Sequence, residues 1–223
     1  CFWPYGYNSF HCDVTAQLKE GSNDIAVLLE NREQSSRWYP GAGLYRKVRH
    51  ITQPQVHVPV WGTYVTTPHI EKDHAVVSVR TKIEGVEKGS AVTLKTRILD
   101  PDGHAVACVT DTRLLHFGEI EQTLTVENPT LWSPEDPVMY FVETEVYAGG
   151  SVNTDWDMDR PEISIADGTV PCDKVSTRFG FRTIEIIPDK GFFLNGEPRK
   201  FRGVCLHHDL GPLGAAINKA ALR

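Results

Sequence analysis

Apolar and polar residues alternate with a period of two through most of this chain. In the stretch HAVVSVRTKI, residues 74–83, Ala75, Val77, Val79 and Thr81 share one face, and in SAVTLKTRIL, residues 90–99, Val92, Leu94, Thr96 and Ile98 do the same. That period places one set of side chains in a core and the other in water, which predicts half-buried antiparallel strands. The segment LDPDGHAVACV then predicts a hairpin, because Pro101 presets φ and Asp102-Gly103 suits a tight turn. Further strands are predicted over 119–126, 138–147, 176–187 and 191–202, the last with a second turn at Asn195-Gly196. Residues 150–173 mix Gly, Pro and Asp with little alternation and predict a long excursion between two strands. Helical periodicity is nearly absent until GAAINKAALR, an Ala-rich helix start at the end of the chain.

Strands recurring from 50 to 187 at this spacing predict an all-β fold with an immunoglobulin-like β-sandwich as its main domain, without the Cys…Trp…Cys hallmark of antibody domains. Residues 1–49 carry three further candidate strands, YNSFHCDV, NDIAVLLEN and LYRKVRHI, too few to bury a sheet face unaided. They read as the closing part of a larger β-domain.

Composition narrows the class of function. With 223 residues, 40% of them hydrophobic and 23% charged, the chain can bury a core. Its 23 basic and 29 acidic residues, net charge -6, are spread along the chain, so no electrostatic footprint for nucleic acid is visible. No apolar run reaches the roughly 18 residues of a membrane span, and CFWPYGYNSF lacks the regions of a signal peptide, so a soluble protein of open compartment is expected. The five cysteines, Cys1, Cys12, Cys108, Cys172 and Cys205, are widely separated and show no C-x-x-C spacing; reduced thiols without a zinc site are expected.

Particular stretches say more. The run NSFHCDVTAQLKEGSNDIAVLLENREQSSRWYPGAGLYRKVRH, with Asp13, Leu18-Lys19, Gly21, Asn23 and then Arg37-Trp38-Tyr39-Pro40-Gly41-x-Gly43-Leu44-Tyr45-Arg46, resembles the end of the sugar-binding jelly-roll domain of glycoside hydrolase family 2, the family of β-galactosidases, β-glucuronidases and β-mannosidases. LWSPEDPVMYFVETEVY is similar to the late strand of its immunoglobulin-like domain. STRFGFRTIEIIPDKGFFLNGEPRKFRGVCLHHDLGPLGAA, with Phe179 to Arg182, Phe193 to Gly196 and Gly203-Val204, is similar to its entry into the catalytic barrel. The resemblance implies three parts: residues 1–49 from a jelly roll, 50–187 as the sandwich, and 188–223 as the start of a truncated (β/α)₈ barrel. A full barrel takes on the order of 250 residues, so the stretch after the sandwich supplies a first strand and little more.

The same resemblance implies retaining hydrolysis of terminal β-galactosides, with β-mannosides or β-glucuronides as family alternatives. Retention requires two carboxylates about 5 Å apart. In the family both are glutamates, one in an Asn-Glu pair, and this chain has none: LNGE places Gly196 between Asn195 and Glu197. No catalytic residue is therefore expected here, and the chain alone is expected to be inactive. Substrate-binding roles are implied for Asp209, where the family contacts a sugar hydroxyl, for His207 two residues before it, and for Arg37 on a jelly-roll loop. Asp209 can equally cap the following loop, and Trp38, Tyr39 and Pro40 can pack against a neighbouring domain. Trp3, Tyr5, Tyr7 and Trp61 are conceivable stacking platforms for sugars but read more simply as core or interface, and Cys205 reads as core.

His207 and His208 on an extended segment point to opposite faces and do not share an ion, so no metal is expected in this stretch. Magnesium, which some galactosidases of the family bind along with sodium, would find its ligands elsewhere. The expected partner is a β-galactoside or related glycan bound by the full enzyme, with a homo-oligomer possible and neither nucleic acid nor membrane involved. A reading from another class is a non-catalytic β-sandwich module for carbohydrate or protein contacts.

Overall fold

The computed structural model describes residues 1–6, 8–30, 33–34, 43–114, 118–148, 165, 169–205 and 218–221. The chain divides into two compact units, one formed by Cys1–Ile51 with Arg202–Arg223 and the other by Thr52–Phe201.

The second unit holds an immunoglobulin-like sandwich. Strands β1 (Thr63–Ile70), β2 (His74–Lys82) and β5 (Glu119–Glu127) form one sheet in the order β1-β2-β5. Strands β3 (Ala91–Leu99), β4 (Ala105–Leu114), β6 (Tyr140–Ala148) and β7 (Asp173–Phe179) form the other in the order β4-β3-β6-β7. Every ladder is antiparallel. The fourth strand pairs with β3, whereas the constant-type immunoglobulin arrangement puts it beside β5.

The period-two faces are the ones that point inward. Ala75, Val77, Val79 and Thr81 on β2, and Val92, Leu94, Thr96 and Ile98 on β3, are all fully buried. Their apolar members sort into two clusters. One gathers Ala75, Val77, Val79, Ile98, Leu124, Val126, Tyr140, Val142 and Phe181; the other gathers Val58, Ile83, Val92, Leu94, Ile120 and Val146. Between them runs a buried polar layer. The Thr96 hydroxyl donates to Gln122 Oε1 at 2.6 Å and lies 3.0 Å from the Thr144 hydroxyl, and Gln122 Nε2 donates to the Leu94 carbonyl at 3.3 Å. Along each strand the polar residue sits between members of the two clusters: Thr96 between Leu94 and Ile98, Gln122 between Ile120 and Leu124, Thr144 between Val142 and Val146.

Two elements depart from the sequence expectation. Strand β1 is not predicted by alternation, because TYVTTPHI contains Pro68 and its pattern is broken by a register shift between Thr66 and His69. Pro68 is tolerated there because β1 is an edge strand and the shift marks a bulge. The single strand expected over 176–187 is two, β7 and β8 (Ile184–Ile187), which belong to different sheets. Strands β8, β9 (Gly191–Leu194) and β10 (Glu197–Pro198) make a small three-stranded antiparallel sheet of their own. The expected turn at Asn195-Gly196 is present, with both residues at positive φ (54° and 77°) as a type I′ turn requires. The expected hairpin at 100–104 is present too: Asp100 Oδ1 accepts the backbone N–H groups of Asp102 and His104 at 2.9 and 2.8 Å.

In the first unit the described residues form one 3₁₀ turn, Thr15–Gln17, and no ladder. The three strands expected within 1–49 thus lack paired neighbours among the described residues, and Ile25 and Leu28 are 78% and 89% exposed. Alternation writes a face into a strand but does not supply the second strand that pairs with it. What the resembling motif does build is a turn. Asn23 accepts the Lys19 N–H at 2.9 Å and donates to the carbonyls of Lys19 and Gly21 at 2.8 and 3.1 Å. Residues 201–205, expected to open a barrel strand, have no ladder partner, and Cys205, expected in a core, is exposed. Of the Ala-rich end, the described residues 218–221 form a turn in which Asn218 Oδ1 accepts the N–H of Ala220 at 3.0 Å. All five cysteines are free thiols. No helix among the described residues is long and apolar enough to cross a membrane.

Candidate functional site

Arg37, His207 and Asp209, the substrate-binding residues implied by the sequence, lie outside the described residues, as do His208, Trp38, Tyr39, Pro40 and Tyr7. The described residues do show how the chain leaving the sandwich is aimed. Strand β7 ends at Phe179, and the next three residues, Gly180 to Arg182, run along the 131–132 segment. Phe181 forms a parallel bridge with Leu131, and its carbonyl accepts the Trp132 N–H at 2.7 Å. The Phe181 ring is fully buried and packs edge-on against Tyr140 and Phe179 at 4.8 and 5.0 Å between centroids. A Cβ on Gly180 would lie 3.0 Å from the Cβ of Trp132, so the strand passes this close only because residue 180 has no side chain. The Arg182 guanidinium lies 5.3 Å from the centre of the Trp132 ring.

Asn195 completes the junction. From its turn it accepts the Thr183 N–H at 3.0 Å and donates through Nδ2 to the Trp132 carbonyl at 3.0 Å. One side chain thereby ties the small sheet to the loop that holds Phe181. Arg199, just past β10, makes a two-point contact with Glu135 at 2.6 and 3.1 Å. That guanidinium holds the Glu135 carboxyl below the usual glutamate range, first through its hydrogen bonds. The Phe-Gly-Phe-Arg and Asn-Gly stretches are therefore positioning elements that fix the course of the chain from the end of β7 to Arg199.

A second surface lies on the outer face of the β1-β2-β5 sheet. Trp61, Gly62, Tyr64, Arg80, Lys82 and Glu119 line an open depression of about 290 Å³. Arg80 lies over the Tyr64 ring at 4.6 Å and pairs with Glu119 at 3.6 Å. Trp61 is 62% exposed and sits in the left-handed region at φ 61°, which is uncommon for so bulky a residue. Trp3, another candidate sugar platform, belongs to the other unit and stacks on Phe10 at 6.1 Å.

Carboxylates close enough to act together occur on the outer face of β6, where Glu143 and Glu145 share Arg97 at 3.2 and 2.8 Å and Lys174 at 3.2 and 3.8 Å. Both are held by these cations, the arrangement of a surface network rather than of a donor and nucleophile facing a sugar. Tyr147 donates to Glu145 at 3.0 Å; burial first, and that bond second, push its phenol above the ordinary value. Two groupings among the described residues have the chemistry of cation ligands: His69, Glu71 and His74, and Asp100, Asp102 and His104. The first is rich in imidazole and does not suit magnesium, which takes oxygen ligands. Its sequence signal is HIEKDH, residues 69–74, and alternation does not expose it, because the two histidines stand on separate strands whose pairing is set by the fold.

Fold and junction together define a class: an immunoglobulin-like β-sandwich whose last strand is redirected through a buried aromatic corner into a short sheet. Comparison with known proteins names the family. Residues 56–159 match the family model for glycosyl hydrolases family 2. The chain is 37% identical over 225 residues to a β-galactosidase of Bacteroides ovatus, covering 98% of this chain and 24% of that protein. It is 26% identical over 231 residues to a β-glucuronidase of Bacteroides fragilis, covering 95% of this chain and 30% of that protein. The crystal structure of a glycosyl hydrolase family 2 member from Bacteroides cellulosilyticus superposes with a TM-score of 0.65 at 33% identity, covering 83% of this chain and 22% of that one. The chain belongs to glycoside hydrolase family 2. It spans about a quarter of the length of these relatives.

Proposed function

We propose that this chain is a non-catalytic fragment of a retaining glycoside hydrolase that cleaves terminal β-galactosides, and that its task is to aim and brace the catalytic barrel. The observation that carries the reading is the likeness to the B. ovatus β-galactosidase across 98% of the chain. The junction geometry supports the bracing role: Phe181, Trp132 and Asn195 restrict the direction in which the chain leaves the sandwich. Fixing that direction matters because misplacing substrate contacts by about 1 Å costs on the order of 100-fold in rate.

In this reading Asp209 and His207 bind the glycone from the end of the first barrel strand, Arg37 reaches it from the jelly-roll loop, and the two catalytic glutamates lie outside the chain. The partner is a β-galactoside or related glycan, and the whole enzyme can be a homo-oligomer. The likeness to the B. fragilis β-glucuronidase favours β-glucuronides as the second reading. The test is hydrolysis of aryl β-galactosides, β-glucuronides and β-mannosides by the full-length protein and by this chain side by side. Turnover of the galactoside by the full-length protein alone is the expected result. Preference for the glucuronide selects the second reading, and turnover by this chain overturns the non-catalytic assignment.

A further inference from the structure

The hairpin joining β1 and β2 carries a grouping that the positioning role does not use. His69 lies near the end of β1, Glu71 just past it, and His74 opens β2; the turn is closed by the Glu71 N–H donating to the His74 carbonyl at 2.8 Å. One ring nitrogen from each histidine and a Glu71 carboxylate oxygen lie within 4.8 Å of one another. His69 Nε2 is 2.7 Å from Glu71 Oε1, and the two imidazole rings are 5.9 Å apart between centroids.

We propose that His69, Glu71 and His74 form a binding site for a divalent transition-metal ion of the zinc class, clasping the edge hairpin of the sandwich. Two nitrogens and one carboxylate oxygen are a recurrent zinc donor set, with water completing the tetrahedron. A second observation points the same way. Asp73 Oδ1 lies 2.9 Å from His74 Nδ1, so that ring nitrogen carries its proton toward the carboxylate and Nε2 keeps the lone pair. A carboxylate on the far nitrogen is the usual companion of a ligating histidine, orienting the ring and raising its basicity. The local field also favours a cation. Glu71, Asp73 and Glu127, which stands directly opposite His74 in the ladder, outweigh Lys72.

The site is distinct in kind from the other grouping. Asp100 Oδ1 is already committed to two backbone N–H groups of its turn, which makes Asp100, Asp102 and His104 a suitable internal control. An ion at the hairpin would join β1 to β2 just beyond the bulge where their register shifts, stabilising an edge strand that lacks a ladder neighbour on its outer side among the described residues.

The test is calorimetric titration of ZnCl₂ into the full-length protein and into His69→Gln, His74→Gln, Asp73→Asn and His104→Gln variants, with X-ray absorption of the zinc-loaded protein to count nitrogen ligands. All four positions lie in or beside turns and reach solvent, and circular dichroism confirms that each variant folds. The expected result is one binding event lost in His69→Gln and His74→Gln, weakened about 10-fold or more in Asp73→Asn, and unchanged in His104→Gln, with two nitrogen ligands in the absorption spectrum. Binding that persists unaltered in both histidine variants, or no zinc binding in the parent, overturns the proposal. Neither outcome depends on glycosidase activity.

Discussion

Thr96 on β3 and Gln122 on β5 join the two sheets through the middle of the core, hydroxyl to side-chain carbonyl, at 2.6 Å. The contact divides one apolar interior into two clusters and fixes the sheets in register, because sliding either sheet would leave the Gln122 amide facing apolar side chains. A buried polar group costs about 1–3 kcal/mol when it loses its partner, so the pair penalises every alternative packing.

Replacing Gln122 by Leu therefore removes the bridge and leaves the Thr96 hydroxyl with Thr144 alone. A loss of about 1–3 kcal/mol is expected, read as a lowered midpoint in urea unfolding. An unchanged midpoint would show that the polar layer does not discriminate between packings.

Thr81 gives the opposite sign. Its side chain is fully buried, and its hydroxyl has no hydrogen-bond partner. Thr81→Val keeps the shape and removes an unsatisfied group, so a gain of about 1 kcal/mol is expected. Thermal unfolding of the two proteins under identical conditions checks it, and a lower midpoint for the valine variant would contradict the assignment.

The aromatic corner is the costliest place to cut. Phe181→Ala opens a cavity beside Tyr140 and Phe179, with an expected destabilisation of about 3–5 kcal/mol. Gly180→Ala should cost about 1–3 kcal/mol by pressing on Trp132. Equilibrium denaturation measures both, and a Gly180→Ala variant as stable as the parent would mean that the Trp132 backbone can recede.

Asn195 separates backbone from side-chain contributions. Asn195→Gly retains the positive φ and loses the bonds to Thr183 and Trp132, for an expected cost of about 1–2 kcal/mol. Under the proposed function, the same variant of the full-length protein should lower kcat/KM for an aryl β-galactoside while circular dichroism stays unchanged. Unaltered kinetics would remove Asn195 from the positioning role.

The Glu135–Arg199 contact carries a pH dependence of known sign. The folded-state pKa of Glu135 lies below its ordinary value of 4.5 because Arg199 favours the carboxylate. Its stabilisation is present above pH 4.5 and is lost as pH falls through the lower folded value. The protection of the Arg199 amide, which donates to the Phe192 carbonyl, against hydrogen exchange, taken relative to an unstructured amide at the same pH, should fall more on acidification in the parent than in Glu135→Gln, which has no such titration. Equal acid responses would assign the change to other carboxylates.

The legible parts of this fold are those encoded locally. The inward faces of β2 and β3, the hairpin capped by Asp100 and the Asn195-Gly196 turn rest on period two and on residues whose φ is preset, and each stands where its residues imply. The resemblance carried by Phe179 to Arg182 and by Asn195-Gly196 named the family. It did not disclose what those residues do, which is to pack Phe181 and hold Trp132. Strand β1 is hidden by Pro68 at a bulge, and the 176–187 stretch conceals a corner because Gly180 and Phe181 continue the apolar pattern while leaving the sheet. The hairpin histidines are separated in sequence by a turn that alternation does not mark. Arg37, His207 and Asp209 rest on sequence, since the described residues stop short of them.

The amino-acid sequence by itself determined the all-β class, which side of each long strand faces the core, two of the turns and the family, because these depend on side-chain polarity and local backbone preference. Tertiary structure alone decided that the polar layer of Thr96, Gln122 and Thr144 bisects the core and that the exit from β7 is locked by Trp132 and Asn195. Those outcomes depend on pairings between residues from 26 to 63 positions apart, and an alternation of apolar and polar positions is equally compatible with any partner strand that offers a complementary face.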